Sequence, residues 1–98
     1  MVTHVSLFYL KDPGTADQMI AALEAVDDPS VLTNTVGTNL FPPPPIEGGP
    51  DFADVAQIIT FADAEGAAAY PAGAAHISLQ QKTNHLIARV AGIDFETE

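Results

Sequence analysis

The sequence predicts an α+β fold in which one antiparallel four-stranded sheet carries helices on one of its faces. Three observations support this prediction. Strand-type and helix-type segments follow one another in the order β-α-β-β-α-β, two of the strands are apolar on both faces, and 98 residues suffice for one core only. We therefore expect a single domain over residues 1–98.

The first strand and the first helix are predicted from periodicity. Residues His4 to Leu10 are mostly β-branched, aliphatic or aromatic and show no helical period. Thr15 followed by Gln18 has the form of a capping box, and apolar residues then recur at helical spacing as far as Val26. The helix is expected to end at Asp27-Asp28-Pro29, because proline cannot continue it.

The middle of the chain is expected to hold two strands joined by a proline-rich loop. Val31 to Leu40 is rich in threonine and valine, and Gly37 within it suggests a bulge or a close approach of the backbone. Pro42 to Pro45 favour a stiff polyproline II segment, which either lies in a long loop or is a ligand for a proline-binding module. Asp54 to Phe61 alternates between two faces and predicts the third strand.

The last third of the chain is expected to hold two short helices and a strand. Asp63 is placed to cap a helix over Ala64 to Tyr70, which Pro71 would end. A second helical piece is expected from about His76 to Thr83, and Leu86 to Phe95 contains the last strand.

This order of elements is that of the ferredoxin-like fold, whose sheet has helices on one face and leaves the other face open. Apolar residues occur on both faces of the first and third strands, so the open face needs a cover. The chain has no spare element for this purpose, and a second copy of the same sheet is the simplest cover. We therefore expect a homodimer in which two sheets pack face to face.

Composition argues against several classes of function. Lys+Arg 3 against Asp+Glu 13 gives a formal charge of −10, so neither nucleic acid nor an anionic membrane is an expected partner. The chain has no cysteine, which rules out thiolate metal sites and cysteine nucleophiles. The first residues lack the pattern of a signal peptide, and no apolar run approaches the ~20 residues of a membrane helix. A cytoplasmic protein is expected.

Histidines and tyrosines are the candidates for proton transfer, because an imidazole titrates near neutral pH. His4 falls on the strand face assigned to the helices, where it is either a base at the floor of a pocket or a polar residue that reaches water. Tyr70 and His76 end one short helix and open the next, so a phenol donor and an imidazole base lie close together. The alternative is a core tyrosine beside a capping histidine. His85 is expected to be structural or solvated.

Other kinds of active site have less support in the sequence. No two histidines have the spacing of a metal-binding motif. Ser6, Ser30 and Ser78 lack the elbow motif of Ser-His-Asp hydrolases, and the glycine motifs that bind dinucleotides or nucleotide phosphates are absent. We therefore expect neither a metal nor a cofactor.

Four short motifs occur in a fixed order along the chain. They are His4-Val5-Ser6-Leu7-Phe8, Thr35-Val36-Gly37-Thr38-Asn39, Ile59-Thr60-Phe61-Ala62-Asp63 followed by Tyr70 and His76, and Ile93-Asp94-Phe95. In this order and spacing they resemble the stress-responsive dimeric α/β barrel (Dabb) family, over most of the chain. The resemblance implies a ferredoxin-like monomer that closes a barrel with a second copy, and a small pocket between sheet and helices in each subunit.

The resemblance also implies an activity. One member of the family, a plant cyclase that forms olivetolic acid, closes a linear polyketide by aldol condensation without a cofactor. Its histidine base and its tyrosine match His76 and Tyr70 here, and a further pocket histidine matches His4. The cyclase-type histidines are replaced by Val55 and Gly73 in this sequence, so its pocket is expected to be less polar.

Three functions remain open at this point. The first is cofactor-independent acid–base chemistry on a small apolar or aromatic, polyketide-like molecule. In it His76 is the general base, Tyr70 polarises a carbonyl and His4 is an auxiliary donor. The second is a non-catalytic homodimer that is stress-associated or binds a ligand. The third, a haem- or oxygen-using relative, rests on analogy of fold alone.

Overall fold

The computed structural model describes residues 1–41 and 52–97. The strands are β1 (Val2–Leu10), β2 (Val31–Thr38), β3 (Val55–Phe61) and β4 (Ile87–Glu96), and the helices are α1 (Ala16–Glu24), α2 (Ala64–Ala69) and α3 (Ala74–Thr83). Short 3-10 helices occur at Pro13–Thr15, Tyr70–Ala72 and Asn84–Leu86. The predicted α+β class and order of elements are confirmed, with the second helical unit split in two. The proline run at 42–45 lies outside the described residues.

The four strands form one sheet in the order β2-β3-β1-β4, and every neighbouring pair is antiparallel, as in the ferredoxin-like fold. β1 therefore lies between β3 and β4. The register places Ser6 between Gln57 and Gly92 and places His4 opposite Asp94. Because residues directly opposite one another point to the same face of a sheet, these five residues share the helix-facing side.

The core lies between this side of the sheet and the helices. Its largest fully buried side chains are Phe61, Met19, Leu23, Ile59 and Val55. Burying an apolar side chain of this size contributes about 1.5–3 kcal/mol to folding, so these few residues account for much of the stability. Among the described helices, none has both the length and the apolar character that crossing a membrane requires.

None of the described helices packs against the other side of the sheet, which carries a cluster of apolar side chains beside four threonines and Arg89. We call this side the outer sheet face. Its aliphatic and aromatic residues are Val5, Leu7, Tyr9, Ala56, Ile58, Ala91, Ile93 and Phe95. Four of them expose at least a third of their surface, with Ile93 at 59%. The register places no aspartate or glutamate of the described strands on this face, although the chain carries thirteen such residues.

The start of α1 differs from the predicted capping box. Thr15 makes no side-chain cap; its hydroxyl instead donates to the carbonyl oxygen of Asp12, at 2.7 Å. The carboxylate of Asp12 accepts from the backbone N–H of Gly14, at 2.9 Å. A 3-10 turn that begins at Pro13 precedes the α-helix, so the capping role passes from Thr15 to Asp12.

The end of α1 and the irregularity in β2 also differ from prediction. The helix ends at Glu24, before the predicted Asp27-Asp28-Pro29, and the carboxylate of Asp28 then accepts from the backbone N–H of Ser30, which turns the chain into β2. Gly37 marks neither a bulge nor a close approach, since nothing lies within 4 Å of where its Cβ would be. The register shift instead lies between Val31 and Thr33.

Candidate functional site

A cavity of about 310 Å³ opens between the helix-facing side of the sheet and α3. We call it the sheet–helix cavity. Its polar lining consists of His4, Ser6, Gln57, Tyr70, His76, Gln80, Thr83 and Asn84. Its apolar lining consists of Phe8, Leu79, Ile87 and Val90, with Gly92 at one edge. All three histidine and tyrosine residues predicted as site residues, His4, Tyr70 and His76, therefore line one cavity.

A larger depression of about 450 Å³ lies between α2 and β4. Its lining is mainly alanine, with Pro71, Phe95 and the two carboxylates of Asp94 and Glu96. None of the described residues that line it is a histidine or a tyrosine, the two residue types that the sequence singled out for proton transfer. The smaller sheet–helix cavity is therefore the candidate site.

Tyr70 lies in the 3-10 turn between α2 and α3 and is buried, with 6% of its surface exposed. Its ring packs against Phe61, with ring centroids 5.4 Å apart. Its hydroxyl has no hydrogen-bond partner among the described residues. Desolvation and, to a smaller extent, the negative charge of Asp28 raise the pKa of Tyr70 above its ordinary value of 10.0. The phenol is therefore neutral and able to donate a hydrogen bond.

His76 lies near the start of α3, and its ring meets the ring of Tyr70 edge-on, with centroids 5.2 Å apart. The Nδ1 atom of His76 lies 3.0 Å from the carbonyl oxygen of Pro71. Because a carbonyl oxygen can only accept, Nδ1 carries the proton of the neutral ring and Nε2 keeps its lone pair. The backbone thus fixes the tautomer that a general base requires.

His4 is held by two hydrogen bonds, one at each ring nitrogen. Its Nδ1 donates to Oδ1 of Asp94 at 2.5 Å, because an ionised carboxylate can only accept. Its Nε2 then accepts from the hydroxyl of Ser6, at 2.7 Å. Neither nitrogen is left free to act directly on a ligand, so the Ser6 hydroxyl stands between His4 and the cavity.

Three residues of the site were not singled out from the sequence as functional. Ser6 and Asp94 complete the arrangement around His4, and Gln57, with 2% of its surface exposed, lies beside Ser6 in the sheet. The side-chain amide of Gln57 donates to Oδ1 of Asn34 at 3.0 Å, which fixes its orientation. A two-residue spacing from His4 places Ser6 on the same strand face, but only the β1–β4 register brings Asp94 there.

The remaining predicted residues lie elsewhere. His85 is exposed in the 3-10 helix Asn84–Leu86 and does not line the sheet–helix cavity. Val55, with 1% of its surface exposed, belongs to the core cluster that contacts α1 and does not line this cavity either. Across residues 1–41 and 52–97, no group of histidine, aspartate and glutamate side chains is arranged to hold a metal ion.

Replacing the unpaired hydroxyl of Tyr70 has a definite expected effect on stability. The Tyr70→Phe protein should keep its free energy of unfolding at neutral pH or gain about 1 kcal/mol, because the buried hydroxyl makes no hydrogen bond that would be lost. Urea denaturation at equal protein concentration measures this difference. A loss of more than about 1 kcal/mol would mean that the hydroxyl has a partner in solution.

The same variant should respond differently to alkaline pH. The native pKa of Tyr70 is raised, so its contribution to stability is present below the ordinary pKa of 10.0 and is lost as the pH rises through the native pKa. The Tyr70→Phe protein should therefore lose less stability above about pH 10 than the unsubstituted chain does. Tyr9→Phe, which removes a phenol from the outer sheet face, is the matched control and should not reduce this loss.

The chain is similar to known proteins over nearly its whole length. The model of the stress responsive A/B barrel domain family matches residues 2–97. A dimeric protein of unknown function with a ferredoxin-like fold from Bacteroides fragilis has 19% identity and a TM-score of 0.77, over 98% of this chain and 95% of its own. Comparison with curated protein sequences gave no match.

Two other solved structures are similar over nearly the whole chain. A dimeric ferredoxin-like protein of unknown function from Thermobifida fusca has 21% identity and a TM-score of 0.76, over 98% of this chain and 90% of its own. A protein from Arabidopsis thaliana has the same identity and TM-score, over 100% of this chain and 96% of its own. At these identities the likeness establishes the ferredoxin-like fold.

Proposed function

Because the chain belongs to the stress responsive A/B barrel domain family, we propose that it binds a small apolar molecule in the sheet–helix cavity and catalyses cofactor-free acid–base chemistry on it. His76 is the general base and Tyr70 is the hydroxyl that positions and polarises a carbonyl. His4 is auxiliary and acts through the hydroxyl of Ser6. The observation that carries the proposal is the meeting of a fixed imidazole tautomer and an unpaired buried phenol at one cavity.

The chemistry that suits this pair is removal of a proton from carbon next to a carbonyl group. The lone pair on Nε2 of His76 takes the proton, and the negative charge that develops on the carbonyl oxygen is stabilised by the O–H of Tyr70. Part of the lining is apolar, and the lower polarity there strengthens a hydrogen bond to the developing charge. An enolate formed in this way can attack a second carbonyl of the same molecule, as an aldol-type cyclisation requires.

The proposal includes assembly as a homodimer through the outer sheet face. The described strands place a cluster of apolar side chains on this face and no aspartate or glutamate, in a chain that carries thirteen such residues. A contiguous apolar face of this kind is normally covered in a soluble protein. The similar proteins from Bacteroides fragilis and Thermobifida fusca are themselves described as dimeric, which supports the same assembly here.

A second candidate function is binding without catalysis by the same homodimer. The apolar part of the cavity wall favours this function. Its residues Phe8, Leu79, Ile87 and Val90 suit an apolar ligand whether or not a reaction follows. The two candidates predict different behaviour toward a simple ketone.

Proton transfer is tested with acetophenone, whose methyl protons exchange with deuterium when a base removes them. We expect the protein to accelerate this exchange, followed by NMR in deuterated water. The acceleration should fall by roughly 10²-fold or more in the His76→Gln protein, because the general base is gone. His85→Gln, which removes an exposed histidine away from the cavity, is the matched control and should leave the exchange rate unchanged.

Binding is tested separately with N-phenyl-1-naphthylamine, a neutral probe that fluoresces in apolar surroundings. Binding of the probe together with His76-dependent exchange supports the acid–base proposal. Binding with exchange at the rate of the buffer alone contradicts it and supports the non-catalytic alternative. Exchange that is equally fast in the His76→Gln protein would show that another group is the base, and absence of both signals would overturn both candidates.

A further inference from the structure

We propose that Ser6 is a nucleophile activated by His4 and Asp94, and that the sheet–helix cavity therefore has a second activity, the hydrolysis of small esters of apolar acids. This activity goes beyond the acid–base chemistry proposed above and does not require His76. Sequence motifs offer little support for it, because Ser6 has no elbow motif around it. The evidence is geometric and concerns three side chains.

The three side chains form the hydrogen-bonded series of a Ser-His-Asp triad. The hydroxyl of Ser6 donates to Nε2 of His4 at 2.7 Å, and Nδ1 of His4 donates to Oδ1 of Asp94 at 2.5 Å. In such a series the histidine takes the serine proton and the carboxylate holds the histidine in the required tautomer. Triads are recognised by this geometry and not by sequence position, and they occur on unrelated folds.

The sheet itself holds this arrangement in place. His4 and Ser6 are two residues apart on the central strand β1, and Asp94 is the cross-strand partner of His4 on β4. None of the three depends on a loop for its position. Ser6 is also buried, with 6% of its surface exposed, so its hydroxyl meets the cavity and is shielded from bulk water.

The residue opposite Ser6 leaves room for a substrate. Gly92 is the β4 partner of Ser6 and lines the cavity. A Cβ at this position would lie 4.0 Å from Oγ of Ser6, 3.9 Å from Cε1 of His4 and only 3.1 Å from the carbonyl oxygen of Val5. A Cβ here would crowd the carbonyl oxygen of Val5 and adjoin Oγ of Ser6, so glycine keeps the cavity open beside the nucleophile.

Tyr70, a lining residue of the same cavity, carries a candidate donor for the developing oxyanion. The hydroxyl of Tyr70 is buried and has no partner among the described residues. In the proposed step Oγ of Ser6 attacks the ester carbonyl carbon while its proton passes to Nε2 of His4, and the O–H of Tyr70 stabilises the oxyanion. Collapse breaks the C–O bond, and the alcohol leaves with the proton from His4. Water then hydrolyses the acyl-serine with the same proton movements.

The test is covalent labelling with diisopropyl fluorophosphate, in which Oγ of an activated serine displaces fluoride from phosphorus. Intact-mass measurement is expected to show one diisopropylphosphoryl group per chain, and fragmentation should locate it on Ser6. The labelling should be absent from the Ser6→Ala protein. It should be slower by roughly two orders of magnitude or more in the Asp94→Asn protein, because the histidine is then held in the wrong tautomer.

Ser78→Ala is the matched control, since Ser78 lies in α3 outside the sheet–helix cavity, and its labelling should equal that of the unsubstituted chain. Circular dichroism of each variant checks folding; the Asp94 side chain is 61% exposed, so its amide should be tolerated. Absence of an adduct in the unsubstituted chain, an adduct that persists in Ser6→Ala, or labelling indifferent to Asp94→Asn would each overturn the proposal.

The outcome is separable from that of the proposed function. Labelling uses neither acetophenone nor His76, so a folded protein that exchanges acetophenone protons without labelling at Ser6 loses only this second activity. A protein that is labelled at Ser6 but exchanges acetophenone protons only at the rate of buffer supports the proposed esterase activity and contradicts the acid–base proposal.

Discussion

The Ile58→Asp protein is expected to be a monomer at micromolar concentration, whereas the unsubstituted chain should be a homodimer. Ile58 is 40% exposed in the single chain and lies on the outer sheet face, beside Val5 of the central strand. In a face-to-face pair the substitution buries a carboxylate from each chain in an apolar interface. Burial of an unpaired charge costs several kcal/mol, which is enough to dissociate a dimer of ordinary affinity.

Ile77→Asp is the matched control for this prediction. Ile77 has a similar exposure, 45%, but lies on α3, away from the outer sheet face. The control protein should remain a dimer. Sedimentation velocity or light scattering after size exclusion gives the mass of each species directly. An unsubstituted chain that is monomeric throughout, or an Ile58→Asp protein that stays dimeric, would contradict assembly through this face.

The second large effect is expected on the stability of the core that supports the sheet–helix cavity. Phe61→Ala is expected to lower the free energy of unfolding by about 3–5 kcal/mol, because Phe61 is 1% exposed and its loss leaves a cavity in the core. A domain of this size has about 5–15 kcal/mol in total, so the variant should be close to unfolding. The ring of Phe61 also packs against the ring of Tyr70, so this variant removes a contact that holds Tyr70 in place.

Phe41→Ala provides the comparison, because Phe41 is 77% exposed and outside the two core clusters. Its effect on the free energy of unfolding should stay within about 0.5 kcal/mol. Urea denaturation at one fixed protomer concentration is needed, since dimerisation makes apparent stability depend on concentration. Equal losses in the two variants would show that Phe61 does not have the core role assigned to it.

Much of the fold could be predicted because its signals are local. The alternation of Val55, Gln57, Ile59 and Phe61 predicts one buried face, and all four are buried on the helix side of the sheet. The predicted cap of Asp63 on α2 is confirmed, since its carboxylate accepts from the backbone N–H of Gly66 at 2.8 Å.

Predictions made from local sequence signals were wrong at two positions. Thr15 has the right spacing to Gln18 for a capping box, but Pro13 imposes a 3-10 turn that Asp12 caps instead. Gly37 suggested a bulge because glycine within a strand often marks one, yet the register shift falls between Val31 and Thr33. Single residue types do not reveal strand register, which depends on the partner strand.

In the candidate site, too, some features could be predicted from the sequence and others could not. Tyr70 and His76 are six positions apart, on either side of the turn between α2 and α3, so their nearness follows from local sequence. The hydrogen bond that fixes the His76 tautomer depends on where the carbonyl of Pro71 points, which no residue type specifies. Likewise, the sequence marks Tyr70 as aromatic and buried but gives no sign that its hydroxyl is unpaired.

The sequence alone determined the α+β order, the two faces of the central strands and the chemistry that is available. The chain has no cysteine and only three lysine and arginine residues, so its candidates for acid–base chemistry are histidine, tyrosine and the carboxylates, with serine as a candidate nucleophile. Only the tertiary structure decided which of these groups meet. His4 and Asp94 are 90 residues apart and contact one another because β1 and β4 pair in one register. A shift of one residue would turn Asp94 to the opposite face, so long-range pairing, and not local propensity, creates the site.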